Sequence, residues 1–169
     1  VRHAMENLLG LGHRRIAHFA GRTTLFDARV RRSTYQTFLG SRGESPLPGY
    51  VLEGGYVREA GRLLAPLMAL PKPPTAVFCA NDEMAIGVLL AARTLGIRVP
   101  YDLSVVGFDD TPVAWSFDPA LTSVRQPLED MTYAAFADVL AQIEGAPASP
   151  GRVFPTSLQV RASTAPPKA

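Results

Sequence analysis

The chain holds one cysteine, Cys79, so it can form no internal disulfide. Lysine is almost missing: Lys72 and Lys168 are its only two, and arginine carries the rest of the positive charge. No apolar run approaches the roughly 20 residues that a membrane-spanning helix needs. A formal net charge of +2 leaves nothing that demands nucleic acid through bulk electrostatics. Several chemical signatures are absent too. There is no P-loop, no Gly-x-Gly-x-x-Gly fingerprint and no Gly-x-Ser-x-Gly elbow. His3, His13 and His18 share no ligand spacing and no second cysteine joins Cys79, so neither a metal nor a cofactor is expected. A phospho-acceptor pocket of the receiver type needs a lysine near its phosphate, and neither lysine falls at a strand's carboxyl end. No signal-peptide pattern opens the chain. Val1 to Leu9 already reads as a mid-domain helix, so a preceding region is expected.

What remains is ordinary globular material. With 169 residues, 47% apolar and 19% charged, the chain can build one sizeable core. Helical spacing of Met5, Leu8 and Leu9 predicts a first helix that ends at Gly10 and Gly12. A strand over 16–20 and a helix over 26–40 follow, the helix turning Val30, Tyr35 and Leu39 inward. Next come a short strand at 50–52, a helix over 57–70 stopped by Pro71, Pro73 and Pro74, and a strand over 76–80. A helix over 83–95, a strand over 104–108, a turn of helix at 112–116 and a strand over 121–124 continue the alternation. A helix over 128–143 and a strand over 153–160 close it, with 165–169 as a frayed tail. This rhythm predicts an α/β fold: a mainly parallel sheet with helices on both faces. Cys79 belongs to the core, and the run His13-Arg14-Arg15 to an exposed turn.

Two strands in this pattern run directly into polar clusters: Asn81-Asp82-Glu83 after one, Asp109-Asp110 after the other. Ligands of a parallel sheet sit beyond the carboxyl ends of its strands, so both clusters face one crevice. Amide and carboxylate groups there suit a hydroxyl-rich ligand. Asn81 and Asp109 read as ligand-facing, and Asp82 and Asp110 as caps or supports; Asp110-Thr111-Pro112 has the form of a helix start. The arginines early in the helix over 26–40 offer a planar fork that pairs two oxygens at once, but Arg29 and Arg32 read as a solvated helix face.

Four blocks together carry a family likeness. They are Leu11-Gly12-His13-Arg14-Arg15-Ile16 with Gly21 and Arg31-x-x-x-Tyr35; Ala80-Asn81-Asp82-Glu83-Met84-Ala85-Ile86-Gly87; Val99 through Asp110; and Leu121 through Pro127. The chain resembles the effector-binding core of LacI/GalR bacterial transcriptional regulators from about His3 to Thr164. The resemblance implies one lobe of a type I periplasmic-binding-protein-like fold. Residues 1–125 and 152–164 would form the C-terminal lobe, and 126–151 a crossover and helix belonging to a lobe that precedes Val1 along with a DNA-binding headpiece. It implies Arg31, Asn81 and Asp109 as effector contacts, Tyr56 as an aromatic that stacks on the ligand, and Gln126 as a hinge contact. It implies a homodimer, with Met84, Val88 and Trp115 on the shared surface. Thr34 and Thr132 stand where the family favours glycine, and Gly54-Gly55 where an acidic residue is usual before the aromatic.

The function so implied is sensing rather than catalysis, in the cytoplasm. A sugar or purine-like metabolite is gripped between lobes, and operator DNA is bound through the headpiece. A periplasmic sugar-binding protein shares this fold and is the alternative; no activated base or nucleophile favours an enzyme. The apolar face of the helix over 128–143 is expected to fold back on this lobe, exchange between chains or add to the dimer.

Overall fold

Alternate residues of each strand serve two separate cores, one on each side of a single sheet. The computed structural model describes residues 1–168. Its strands are β1 (Ile16–Ala20), β2 (Val51–Glu53), β3 (Ala76–Cys79), β4 (Ser104–Asp109), β5 (Thr122–Arg125) and β6 (Ser157–Gln159). They lie in the order β2-β1-β3-β4-β5-β6. Every neighbouring pair is parallel except β5 with β6. Ala17, Phe19, Val77, Cys79 and Val105 point to one core, and Ile16, Ala76, Phe78, Val106, Phe108 and Val124 to the other. Burial on both faces explains why these strands read as near-continuous apolar runs.

Helices α1 (Arg2–Gly10) and α2 (Phe26–Gly40) cover the second core. A 3-10 helix (Arg58–Leu63) running into α3 (Leu64–Met68), with α4 (Asp82–Thr94) and α5 (Pro112–Ser116), covers the first. The sixth helix, α6 (Leu128–Ile143), has no buried residue.

Four expectations need correcting. A continuous helix over 57–70 is not formed: Pro66 lacks the amide that would bond the Arg62 carbonyl, and the first part tightens to a 3-10 helix instead. The last strand shrinks to three residues because Pro155 cannot donate to a ladder. Val30 is exposed rather than inward.

The fourth concerns the sheet's amino end. His13 is 1% exposed, not solvated. Its ring bonds Thr75 Oγ1 at 2.9 Å, Ser104 Oγ at 3.1 Å and the Ala165 carbonyl at 2.9 Å. The Ala165 amide donates to Ser104 Oγ, and Lys168 pairs with Asp102. The described part of the tail is therefore pinned rather than frayed; Ala169 lies outside the described residues.

Of the three fates expected for α6, folding back is not adopted. Phe136, Val139, Leu140 and Ile143 all stand in solvent.

Candidate functional site

The strand order doubles back between β1 and β3. From β1 the chain goes outward to β2, and from β3 it goes outward the other way. Such a switch leaves a crevice beyond the carboxyl ends of the two central strands. Arg31, on the helix that follows β1, reaches across it and donates from Nη1 to the carbonyl of Ala80 at the end of β3, at 2.9 Å. The same nitrogen donates to the Tyr56 hydroxyl at 3.2 Å and lies 3.2 Å from Asp27 Oδ2. Its guanidinium carbon sits 4.1 Å from the centroid of the Phe108 ring, a cation–π contact that fixes the plane of the fork.

Tyr56 is held on three sides. Its hydroxyl donates to Asp27 Oδ2 at 2.6 Å. Its carbonyl accepts from Asn81 Nδ2 at 3.2 Å. Its ring lies on Gly21, where a Cβ would stand 2.2 Å from it, so only glycine leaves room. Burial, followed by the Asp27 hydrogen bond, pushes the phenol up to about 12, and the same bond holds the Asp27 carboxyl below its usual range. Asn81 caps α4, its Oδ1 accepting the Met84 amide at 3.0 Å. One amide group thus orders both the helix start and Tyr56.

Asp109 accepts from Gln126 Nε2 at 2.6 Å. Burial raises the Asp109 carboxyl, opposed by that bond and by Arg31. Asp110 does not cap α5; Thr111 takes that position. The Asp110 carboxylate, 1% exposed, pairs with Arg125 at 2.6 Å and Arg161 at 2.7 Å. It thereby ties the end of β5 and the segment after β6 to the end of β4. Tyr56, Asp109 and Asp110 have φ of 66°, 112° and 57°, and they are the described non-glycine residues with positive φ. Strain of this kind gathers at ligand sites, and here all three instances fall in one crevice. An open hollow of about 450 Å³ continues from it past Asp109, Asp110, Trp115, Gln126 and Leu128.

Behind these residues Asp82 is buried. It accepts from the Thr111 amide at 2.7 Å, the Thr111 hydroxyl at 3.1 Å and the Ser123 hydroxyl at 2.6 Å. Burial outweighs these bonds and raises its carboxyl to about 6. Between pH 4 and 6 the folded chain keeps a proton that the unfolded chain loses. Stability from this group is therefore full below about pH 4 and falls as the pH rises through about 6. Urea titrations from pH 4 to 7 should show the parent losing about 2–3 kcal/mol relative to Asp82→Asn, whose profile lacks this slope. Parallel profiles would contradict the account.

All five sequence-assigned ligand residues, Arg31, Tyr56, Asn81, Asp109 and Gln126, lie at this end of the sheet. The dimer assignments fare differently. Met84 and Val88 are both 0% exposed within the chain's own core, so they cannot form an intermolecular surface. Both belong to the core that α4 shares with the 3-10 helix and the sheet, and Met84 lies against Gly54. Trp115, 54% exposed, remains available. Sequence reasoning passed over Asp27, although its i,i+4 spacing to Arg31 signals the pair. It also passed over Phe108, whose apolar ring in a strand gave no hint of its place under a guanidinium. Among the described residues no cluster of His, Cys, Asp or Glu could hold a metal, and no helix is long and apolar enough to cross a membrane.

Comparison with known proteins gives consistent results. The family model for a periplasmic binding protein-like domain matches residues 5–164. The HTH-type transcriptional repressor CytR of Escherichia coli (strain K12) is 36% identical over 163 residues, covering 95% of this chain and 48% of the repressor. The chain thus spans about half the length of that relative. A dimeric Lac repressor with an 11-residue C-terminal deletion superposes with a TM-score of 0.91 at 30% identity, over 99% of this chain and 61% of that one. The transcriptional regulator CelR in complex with cellobiose gives 0.88 at 34% identity, over 96% and 50%.

Proposed function

Because the chain belongs to the LacI family of transcriptional regulators and carries their periplasmic binding protein-like domain, we propose that it senses a small hydroxyl-bearing metabolite and passes that signal to operator DNA. The observation that carries this reading is the convergence of Arg31, Tyr56 and Asn81 with the Asp109–Gln126 pair at one switch point. Arg31 and Asp109 offer charged hydrogen bonds to ligand hydroxyls, and the Tyr56 ring offers an apolar face for a sugar or base. A disaccharide occupies the CelR complex, which supports a carbohydrate as ligand. The exposed apolar side of α6 supports assignment of residues 126–151 to a second lobe that closes over the ligand. Likeness to the dimeric Lac repressor supports a dimer, with exposed Trp115 as a candidate for its surface. DNA contact is assigned to a helix-turn-helix outside this chain, and the cytoplasm is where operator DNA is met. The family's relatives are regulators rather than enzymes, and the ligand is bound without being transformed.

The test is fluorescence anisotropy of the full-length protein on DNA flanking its own gene, with a panel of sugars and nucleosides. One of them should change DNA affinity by roughly 5- to 150-fold. DNA affinity that no member changes would overturn the reading. A secretion leader in place of a helix-turn-helix would favour a periplasmic sugar-binding protein.

A further inference from the structure

Two helices start at the crevice, α2 beyond β1 and α4 beyond β3. Helix starts at this end of a sheet attract anions, because their first amides are unpaired and their dipoles point positive ends at the ligand. In this chain both starts already carry its own acidic residues, and the start of α4 also has an amide side chain as its cap. Asp27 stands in the first turn of α2, and Asp82 and Glu83 in that of α4, where Asn81 also takes an amide.

The cation of the crevice is met in the same way. Arg31 lies 3.2 Å from Asp27 Oδ2, and Tyr56 locks that carboxylate in place with a 2.6 Å bond. Arg58 is paired with Glu83, and Arg125 and Arg161 share Asp110 where the chain leaves for α6, so none of the three pairs with Asp27 or Asp109. Arg22 is exposed at the rim beside Gly55 and pairs with no carboxylate among the described residues, whereas Asp27, half exposed, is held at contact distance from Arg31 by Tyr56. Arg31 and Asp27 both act on Asp109, and buried Asp82 lies behind it. Around Arg31 itself, two carboxylates, Asp27 and Asp109, face one guanidinium.

Resting on the effector-sensing reading above, we propose that Asp27 makes the crevice select neutral polyhydroxylated ligands over those bearing a carboxylate or phosphate. It does so by cancelling Arg31 before any ligand arrives. A neutral hydroxyl can donate to Asp109 and accept from Arg31, whose other N–H groups bond none of the described residues. An acidic ligand meets two carboxylates and a cation already balanced, so the site discriminates by repulsion.

Isothermal titration of the full-length protein with matched pairs tests this: glucose and glucuronate, galactose and galacturonate, cellobiose and cellobionate, cytidine and its monophosphate. In any pair that binds, the neutral member should be at least about tenfold tighter. Asp27→Asn keeps an oxygen for the Tyr56 hydroxyl while removing the charge. It should shift the acid-to-neutral affinity ratio toward the acid by about tenfold. Equal or tighter binding of the acidic member by the parent, or an unchanged ratio in the variant, overturns the selectivity alone. Silence from every pair overturns the effector-sensing reading and this inference with it.

Discussion

Gly87→Ala should destabilise the protein by about 3 kcal/mol or more, against the usual gain of about 1 kcal/mol for glycine-to-alanine in a helix. The reversal comes from two glycines that meet backbone to backbone. A Cβ on Gly87 would stand 2.0 Å from the Arg58 carbonyl oxygen, and one on Gly61 would stand 2.2 Å from the Gly87 oxygen. Neither obstacle is a flexible side chain, so α4 and the 3-10 helix must separate. Their shared core of Ala60, Leu64 and Val88 then opens. Tyr56 stands two residues before the 3-10 helix, so its bond from Asn81 should weaken as well. Urea midpoints measure the effect. Gly40→Ala is the control, since nothing lies within 4 Å of its added methyl and its φ is not positive. A Gly87→Ala midpoint at or above the parent's would show that the two helices are not in contact as described.

Asp109→Asn should weaken effector binding on the order of ten- to a hundredfold and leave operator binding intact. The estimate is the difference between a hydrogen bond to a charged group and one to a neutral group. Asparagine is preferred to alanine because residue 109 has a φ of 112°, a region that asparagine tolerates better. Its amide oxygen can still accept from Gln126, so the variant removes charge with little change in shape. Calorimetry with the effector found by the DNA-binding assay, alongside anisotropy on the operator, separates the two functions. Equal effector affinity in parent and variant would remove Asp109 from the ligand contacts.

Much of this arrangement is legible in the chain because strand period and polar strand ends are local signals. β1, α2, α5 and α6 have the bounds that spacing predicts. Pro66 and Pro155 cut two elements short locally, but the misread burials depend on partners distant in sequence. His13 looks like surface beside two arginines, yet Thr75, Ser104 and Ala165 converge on it. Met84 and Val88 look equally able to face a second chain or the sheet. Only the close approach of α4 to the 3-10 helix buries them within the chain. The site was more readable than the surface, because a carboxylate or amide at a strand's end has few places to point. The distinction between contact and support was harder. Asn81 both caps a helix and orders Tyr56, and its residue type gives no sign of the second task.

The double pairing of Asp110 has a mechanical consequence. One buried carboxylate grips the chain just before it leaves for α6 and again after it returns. The 16 residues of α6 form a rod about 24 Å long, joined to that anchor at its near end and tied along its flank by the Asp138–Arg152 pair. A tilt of about 5° at that anchor swings the far tip by about 2 Å. An ångström-scale adjustment beside Asp109 therefore becomes a lever stroke large enough to be felt by whatever rests on the rod.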